Sequence, residues 1–185
     1  HGRRAIMSYD VGKKALDFLV ANSGNRKNLE VDFFGGEPLM NWHVVQQTID
    51  YVHKQEKKHG KKIKMSLTTN GLLLDKEKVK YLTDNHISLI LSLDGRKEMH
   101  DRMRPGVHGE GTYDEIVKNL QYCVANRKGE EYYVRGTFTR YNMDFTTDVI
   151  DMIDKGFPAV SMEPVVGEDT ADYSIKEEDL PRVKA

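Results

Sequence analysis

Residues 29–42 read "LEVDFFGGEPLMNW". The first six alternate as a strand does, and the run stops on two glycines, a carboxylate and a proline. Behind the break, residues 42–58 carry Val45, Ile49 and Val52 at i, i+4 and i+7 among charges, which is the stripe of an amphipathic helix. "KIKMSLTT" (62–69) then alternates again. Strand, helix, strand, with no hairpin-length link, is a parallel crossover unit. Two glycines at the end of such a strand admit close approach to the backbone, and Glu37 beside them points to a cationic group.

The same unit repeats outward in both directions. A first helix is expected over 9–21, with Ser8 as N-cap and Val11, Ala15, Phe18 and Leu19 on its core face. Asp75 opens a shorter helix, "ISLILSL" (87–93) is a strand, and Thr112 with Glu115 has the spacing of a capping box before Ile116, Leu120, Cys123 and Val124. "YYVRGTFT" (132–139) is the next strand. A helix from Asp144 to Ile153 ends at Gly156, a natural C′ residue, ahead of the strand "AVSMEP" (159–164), and Ser174 with Glu177 would cap a last helix. Five parallel strands with outer helices cannot close an eight-stranded barrel, which takes about 250 residues. The expectation is an α/β fold with an open, partial barrel. The chain of 185 residues starts on a helix with no strand before it and no initiator Met, so a fragment with its first strand missing is expected. The exposed sheet edge would then invite self-association.

Composition narrows the function classes. A length of 185 residues suits one domain. The net charge is −1 and the basic residues are scattered, so no nucleic-acid footprint exists. No apolar run approaches the roughly 20 residues needed to span a bilayer, and no signal peptide opens the chain. No membrane association and a cytoplasmic location are expected. The single cysteine, Cys123, lies at helical spacing from Ile116 and Leu120 and reads as a buried thiol, and the seven histidines have no paired ligand spacing. No metal site is expected within the chain.

Ligands of parallel α/β sheets sit at the carboxyl ends of the strands. Those ends read "GGEP" (35–38), "TTNG" (68–71), "SLDG" (92–95), "TFTR" (137–140) and "MEP" (162–164). Alternation puts Ser66, Thr68 and Asn70, then Ser88, Ile90, Ser92 and Asp94, then Arg135, Thr137 and Thr139, on the face away from the covering helices. Simpler readings stand beside this: Gly-Gly and Asn-Gly are common turns, and Arg135 would be satisfied by pairing with Asp94 or Glu163. A phosphate loop is excluded by the lack of its Lys and Ser/Thr. Paired carboxylates such as Glu37 and Asp94 would suit glycoside hydrolysis, but the barrel is too short for it.

In order, "FFGGEPLM", "LTTNGLLL", "LSLDGRKEMHDRMRP", "GTYDEIVKNL", "YVRGTFTR" and "VSMEPVV" resemble the radical S-adenosylmethionine (SAM) enzymes. The similarity is greatest to the peptide maturases that carry a cysteine-rich SPASM domain, and within them to the maturases of SCIFF peptides. The resemblance implies a (βα)6-type core domain and a 5′-deoxyadenosyl radical, made from SAM, that abstracts hydrogen to form a thioether cross-link in a Cys-rich precursor peptide. It implies that Gly35, Gly36 and Glu37, aimed by Pro38, hold the SAM amino group; that Ser92 or Asp94 meets the ribose; that Arg135 meets the carboxylate; and that Asn70 and the backbone around Glu163 flank the adenosine. It assigns no chemistry to His100 or Arg104 in "HDRMRP", which reads as a structural loop. The family's [4Fe-4S] cluster needs three thiolates spaced Cys-x3-Cys-x2-Cys, and none is present. Residues 1–185 are therefore expected to be a core-domain fragment, without the cluster loop or the SPASM domain, unable to hold the cluster and inactive alone. Rival expectations are a radical SAM sulfatase maturase or another SPASM maturase, and a cluster-free SAM- or peptide-binding protein.

Overall fold

The structure is a computed structural model and describes residues 5–127, 129, 131–168 and 170–183. The described elements run α1 (Tyr9–Asn22), β1 (Asn28–Phe33), a 3-10 turn (Pro38–Asn41), α2 (Trp42–His59), β2 (Lys62–Thr69), α3 (Lys76–Asp84), β3 (Ser88–Ser92), α4 (Lys97–Met103), α5 (Tyr113–Asn126), β4 (Tyr132–Phe138), α6 (Phe145–Asp154) and β5 (Val160–Pro164), closing with α7 (Leu180–Val183). All five strands are parallel and lie in sequence order, so each crossover helix carries the chain to the next neighbour. β1 and β5 are the edges of this sheet.

Period-2 alternation divides the sheet into two faces. Leu29, Phe33, Ile63, Met65, Leu67, Leu89, Leu91, Leu93 and Val134 are buried with Val45, Ile49, Val52, Val79, Leu82, Ile116, Leu120, Cys123 and Met152 from the helices in one core. Glu30, Asp32, Lys64, Ser66, Ser92, Arg135 and Glu163 occupy the other face and stay at least partly exposed. Registers Glu30↔Lys64, Asp32↔Ser66 and Ser92↔Arg135 align these polar positions across the sheet. Cys123 is fully buried, and burial pushes its thiol up to about 11, which keeps it protonated and inert.

Three local expectations are corrected. α1 buries Gly12, Leu16 and Val20, whereas Val11 and Phe18 are exposed. A Cβ on Gly12 would come within 3.3 Å of Thr48 Oγ1 on α2, so the close helix contact is made through a glycine, which a hydrophobicity pattern discounts. Thr112 makes no capping bond to α5. Asp101 Oδ1 does that work, accepting from Thr112 N at 2.8 Å and Tyr113 N at 2.9 Å. Ser174 instead donates to Glu168 O, and the chain beyond it makes a 3-10 turn, Glu177–Asp179, before α7. Arg140 sets this path, since its N–H donates to Tyr173 O and its Nε pairs with the buried Asp179.

Candidate functional site

The site is built where β1 and β2 end. Pro38 restricts Glu37 to extended backbone, and φ −148°, ψ 107° is what Glu37 adopts. From there its carboxylate turns back over its own chain: Oε1 accepts from Leu39 N at 3.0 Å and Thr69 Oγ1 at 2.9 Å, and Oε2 accepts from Asn70 N at 2.8 Å. Glu37 thus caps the 3-10 turn and fastens the glycine loop to the end of β2. A carboxylate has about four acceptor positions, so one is left on Oε2. Asn70 Oδ1 accepts from Leu72 N at 3.0 Å, an Asx turn that leaves its NH2 as a donor.

Gly35 and Gly36 are exposed, and a Cβ on either would meet nothing within 4 Å. No protein neighbour therefore requires glycine there. By contrast Gly71, φ +79°, would place a Cβ 2.7 Å from Leu120 Cδ2, and Gly95, φ +93°, would place one 2.2 Å from Asp148 Cβ. Those glycines are fixed by packing, whereas the room beside Gly35 and Gly36 is open to a ligand. Two backbone carbonyls and a residual carboxylate acceptor suit an ammonium group.

The ends of β3, β4 and β5 hold the other expected residues. Ser92 and Arg135 are register partners, and Ser92 has no hydrogen-bonded side-chain partner among the described residues. Arg135 Nη2 pairs with Glu163 across the β4–β5 pair, with side chains 40% and 47% exposed, which leaves further guanidinium donors unspent. Asp94 differs. Only 3% exposed, it accepts from Arg104 Nε at 2.7 Å, Arg104 Nη2 at 3.0 Å and Thr137 N at 2.9 Å. Its carboxylate is buried under these donors, and Ser92 is the more exposed of the two polar side chains at that strand end.

A second polar cluster went unread in the sequence. Arg96 donates through N, Nε and Nη2 to Asp148, which is fully buried, and Asn142 Nδ2 donates to the same carboxylate at 2.9 Å. Asn142 Oδ1 in turn accepts from Thr139 N and Oγ1 at the end of β4. His100, also fully buried, accepts from Asp94 N through Nδ1 at 3.3 Å and faces Thr112 Oγ1 through Nε2. The recoverable signal was spacing: Arg96, His100 and Arg104 are four apart and share one helical face. Thr69 was missed because alternation assigned it to the core face, where it is indeed buried while its hydroxyl reaches Glu37.

Elsewhere, a recess of about 420 Å³ opens at the opposite end of the sheet, lined by residues that include Lys64, Ser66, Ser88 and Glu131, and Lys64 is paired there with Glu131 at 2.6 Å. It lies away from the strand ends where the glycines stand. Among the described residues no group of three or more His, Cys, Asp or Glu side chains is placed to hold a metal, and the lone cysteine is inside α5. The residues present do not fit an iron–sulfur cluster. No helix among the described residues is long and apolar enough to cross a membrane.

Residues 8–153 match the family model described as the Radical SAM superfamily. The chain is 29% identical over 149 residues to the radical SAM cyclopropyl synthase TigE of Paramaledivibacter caminithermalis, covering 78% of this chain and 30% of that protein. It is 29% identical over 135 residues to a cysteine-type anaerobic sulfatase-maturating enzyme of Clostridium novyi, covering 71% of this chain and 35% of the relative. Among solved structures, native anSMEcpe with bound AdoMet superposes with a TM-score of 0.82 at 21% identity, over 99% of this chain and 50% of that one. The same protein with AdoMet and the Kp18Cys peptide gives 0.81 at 22%, over 97% and 50%. These likenesses establish the α/β partial-barrel fold. The chain spans about a third of the length of the curated relatives and half that of the solved chains.

Proposed function

Because the chain belongs to the radical SAM superfamily, whose enzymes use SAM and a [4Fe-4S] cluster, we propose that it is the SAM-binding core of a peptide maturase. The observation that carries this reading is the open glycine pair, held by Glu37 at the carboxyl end of a parallel strand. In it, the carbonyls of Gly35 and Gly36 and the residual acceptor of Glu37, aimed by Pro38, bind the methionyl ammonium. Arg135 meets the carboxylate while keeping Glu163 on one nitrogen, Ser92 meets the ribose, and Asn70 with the backbone near Glu163 flanks the adenosine. When bound, SAM would supply a 5′-deoxyadenosyl radical, released with methionine at the cost of one electron from the reduced cluster of the complete protein, and that radical would take a hydrogen atom from the peptide. The strand ends bind and orient the cofactor so that reacting atoms start near attack distance. The thiolates of the family's cluster are not among these residues, and the 185-residue chain alone is proposed to be inactive, as a core domain that works with a cluster loop and a SPASM domain.

The substrate proposed is a Cys-rich precursor peptide of the SCIFF type, in which a cysteine sulfur is joined to a backbone carbon: the carbon would give its hydrogen atom to the 5′-deoxyadenosyl radical, the thiol its proton to solvent, and the remaining electron would pass to an auxiliary iron–sulfur cluster of the complete protein. A sulfatase maturase is the second reading, favoured by the similarity to anaerobic sulfatase-maturating enzymes. The test uses the protein expressed from its complete gene, reconstituted anaerobically and given SAM, a reductant and each class of peptide. A Cys-rich peptide lighter by two hydrogens per cross-link supports the first reading. Conversion of the sulfatase peptide alone selects the second. If SAM is neither bound nor consumed, both fall.

A further inference from the structure

The segment "SLDGRKEMHDRMRP" (92–105) contains more polar residues than the cofactor reading uses. Its helix, α4, has Arg96 as N-cap and Arg104 as C-cap, and each arginine is fastened to a buried aspartate: Arg96 to Asp148 at 2.8 Å and Arg104 to Asp94 at 2.7 Å. The two aspartates belong to different elements, α6 and the end of β3. A seven-residue helix therefore ties α6 to the chain just beyond β3.

Asp94 is the decisive member. It stands two residues beyond Ser92, and its Oδ1 accepts from the N–H of Thr137, two residues beyond Arg135. Ser92 and Arg135 are themselves the last register partners of β3 and β4, so the two proposed ligands stand where the ladder runs out. Beyond Ser92 the Leu93 N–H still donates to Arg135 O at 3.1 Å, and the tie is extended to Thr137 by the Asp94 carboxylate. Arg104 grips it with two nitrogens, and a bidentate fork fixes orientation as well as distance. His100 holds the same residue from its N–H. A buried ion pair stabilises little compared with an apolar replacement, so what this arrangement contributes is defined geometry.

We propose that Arg104, acting through Asp94, is a positioning residue for SAM: it sets the separation and orientation of Ser92 and Arg135. The inference rests on the SAM-binding reading above. Arg104 touches no cofactor in it, and Asp94, buried and held by Arg104 and Thr137, serves as an anchor and not as a ribose ligand.

The experiment measures SAM affinity by equilibrium dialysis on the complete protein, alongside hydrogen exchange at the Thr137 amide and thermal melts. Variants are Arg104→Ala, Arg104→Lys, and Leu82→Ala, a fully buried residue of α3 that destabilises away from the strand ends. The expected result is SAM binding weakened about ten-fold or more in R104A, partly restored in R104K, and within about two-fold of wild type in L82A, with faster Thr137 exchange in R104A only. If R104A does not fold, R104K against L82A gives the same comparison. Binding in the arginine variants within about two-fold of wild type overturns the proposal, as does an equal loss in L82A at equal melting temperature. Absence of SAM binding to the wild type overturns the cofactor reading and the positioning role with it, while accelerated Thr137 exchange would still identify the clasp.

Discussion

The ends of β1 and β3 carry similar letters, "GGEP" and "SLDG", and are put to opposite uses. At β1 the glycines are exposed with nothing near them, and the carboxylate keeps one acceptor position. At β3 the glycine is wedged against Asp148, and the carboxylate, which also takes three donors, is buried under Arg104 and Thr137. One strand end lies open and the other is buried in its own contacts. A polar strand end in a parallel sheet is thus either a ligand site or the frame that holds one, and the difference is whether its groups stay exposed to a ligand.

The contrast is broken most directly at the glycines. Gly95→Ala forces a Cβ into the Asp148 side chain at φ +93°, and is expected to cost about 3 kcal/mol in urea denaturation, the sum of backbone strain and overpacking. Gly36→Ala is expected to change stability by less than about 0.5 kcal/mol, as at an unconstrained surface position, while lowering SAM affinity. If both lose stability alike, the open loop is not open.

A smaller effect should come from pH. His100 Nδ1 accepts a hydrogen bond, so the ring is neutral with its proton on Nε2. Burial holds its pKa below the usual histidine value; the Asp94 and Asp101 carboxylates pull upward and Arg104 and Lys97 downward. With the folded pKa depressed, the unfolded chain takes up the proton first as pH falls. The contribution is present in full above about 6.5 and is lost as pH drops through that value toward the folded pKa. Urea midpoints should decline from pH 7.5 to 5, and less so in His100→Asn, whose carbonyl replaces the Nδ1 acceptor. The smallest effect is expected at Glu163→Gln: its pair with Arg135 is roughly half exposed, so stability should change by no more than about 1 kcal/mol. A larger loss would make Arg135 part of the frame instead of the site.

Strand positions were legible because alternation is local. "KIKMSLTT" and "ISLILSL" each display their two faces within one element, and the glycine loop announces itself beside a carboxylate and a proline. The α1 face was misread because the contact with α2 runs through Gly12, which carries no hydrophobic signal. The α5 cap was misread because Asp101, eleven residues before Thr112, outcompetes the local side chain. Asp94 could be placed at the mouth by alternation, but alternation does not say which donors will reach it.

The amino-acid sequence by itself determined the five parallel strands, the polar strand ends, the buried thiol of Cys123 and the family. Tertiary structure alone decided which polar groups are spent and which are free. Thr137 lies 43 residues from Asp94, and Arg96 lies 52 from Asp148. Hydrogen bonds over such separations depend on the register of β3 with β4 and the docking of α4 and α6, and no local pattern in the chain encodes them.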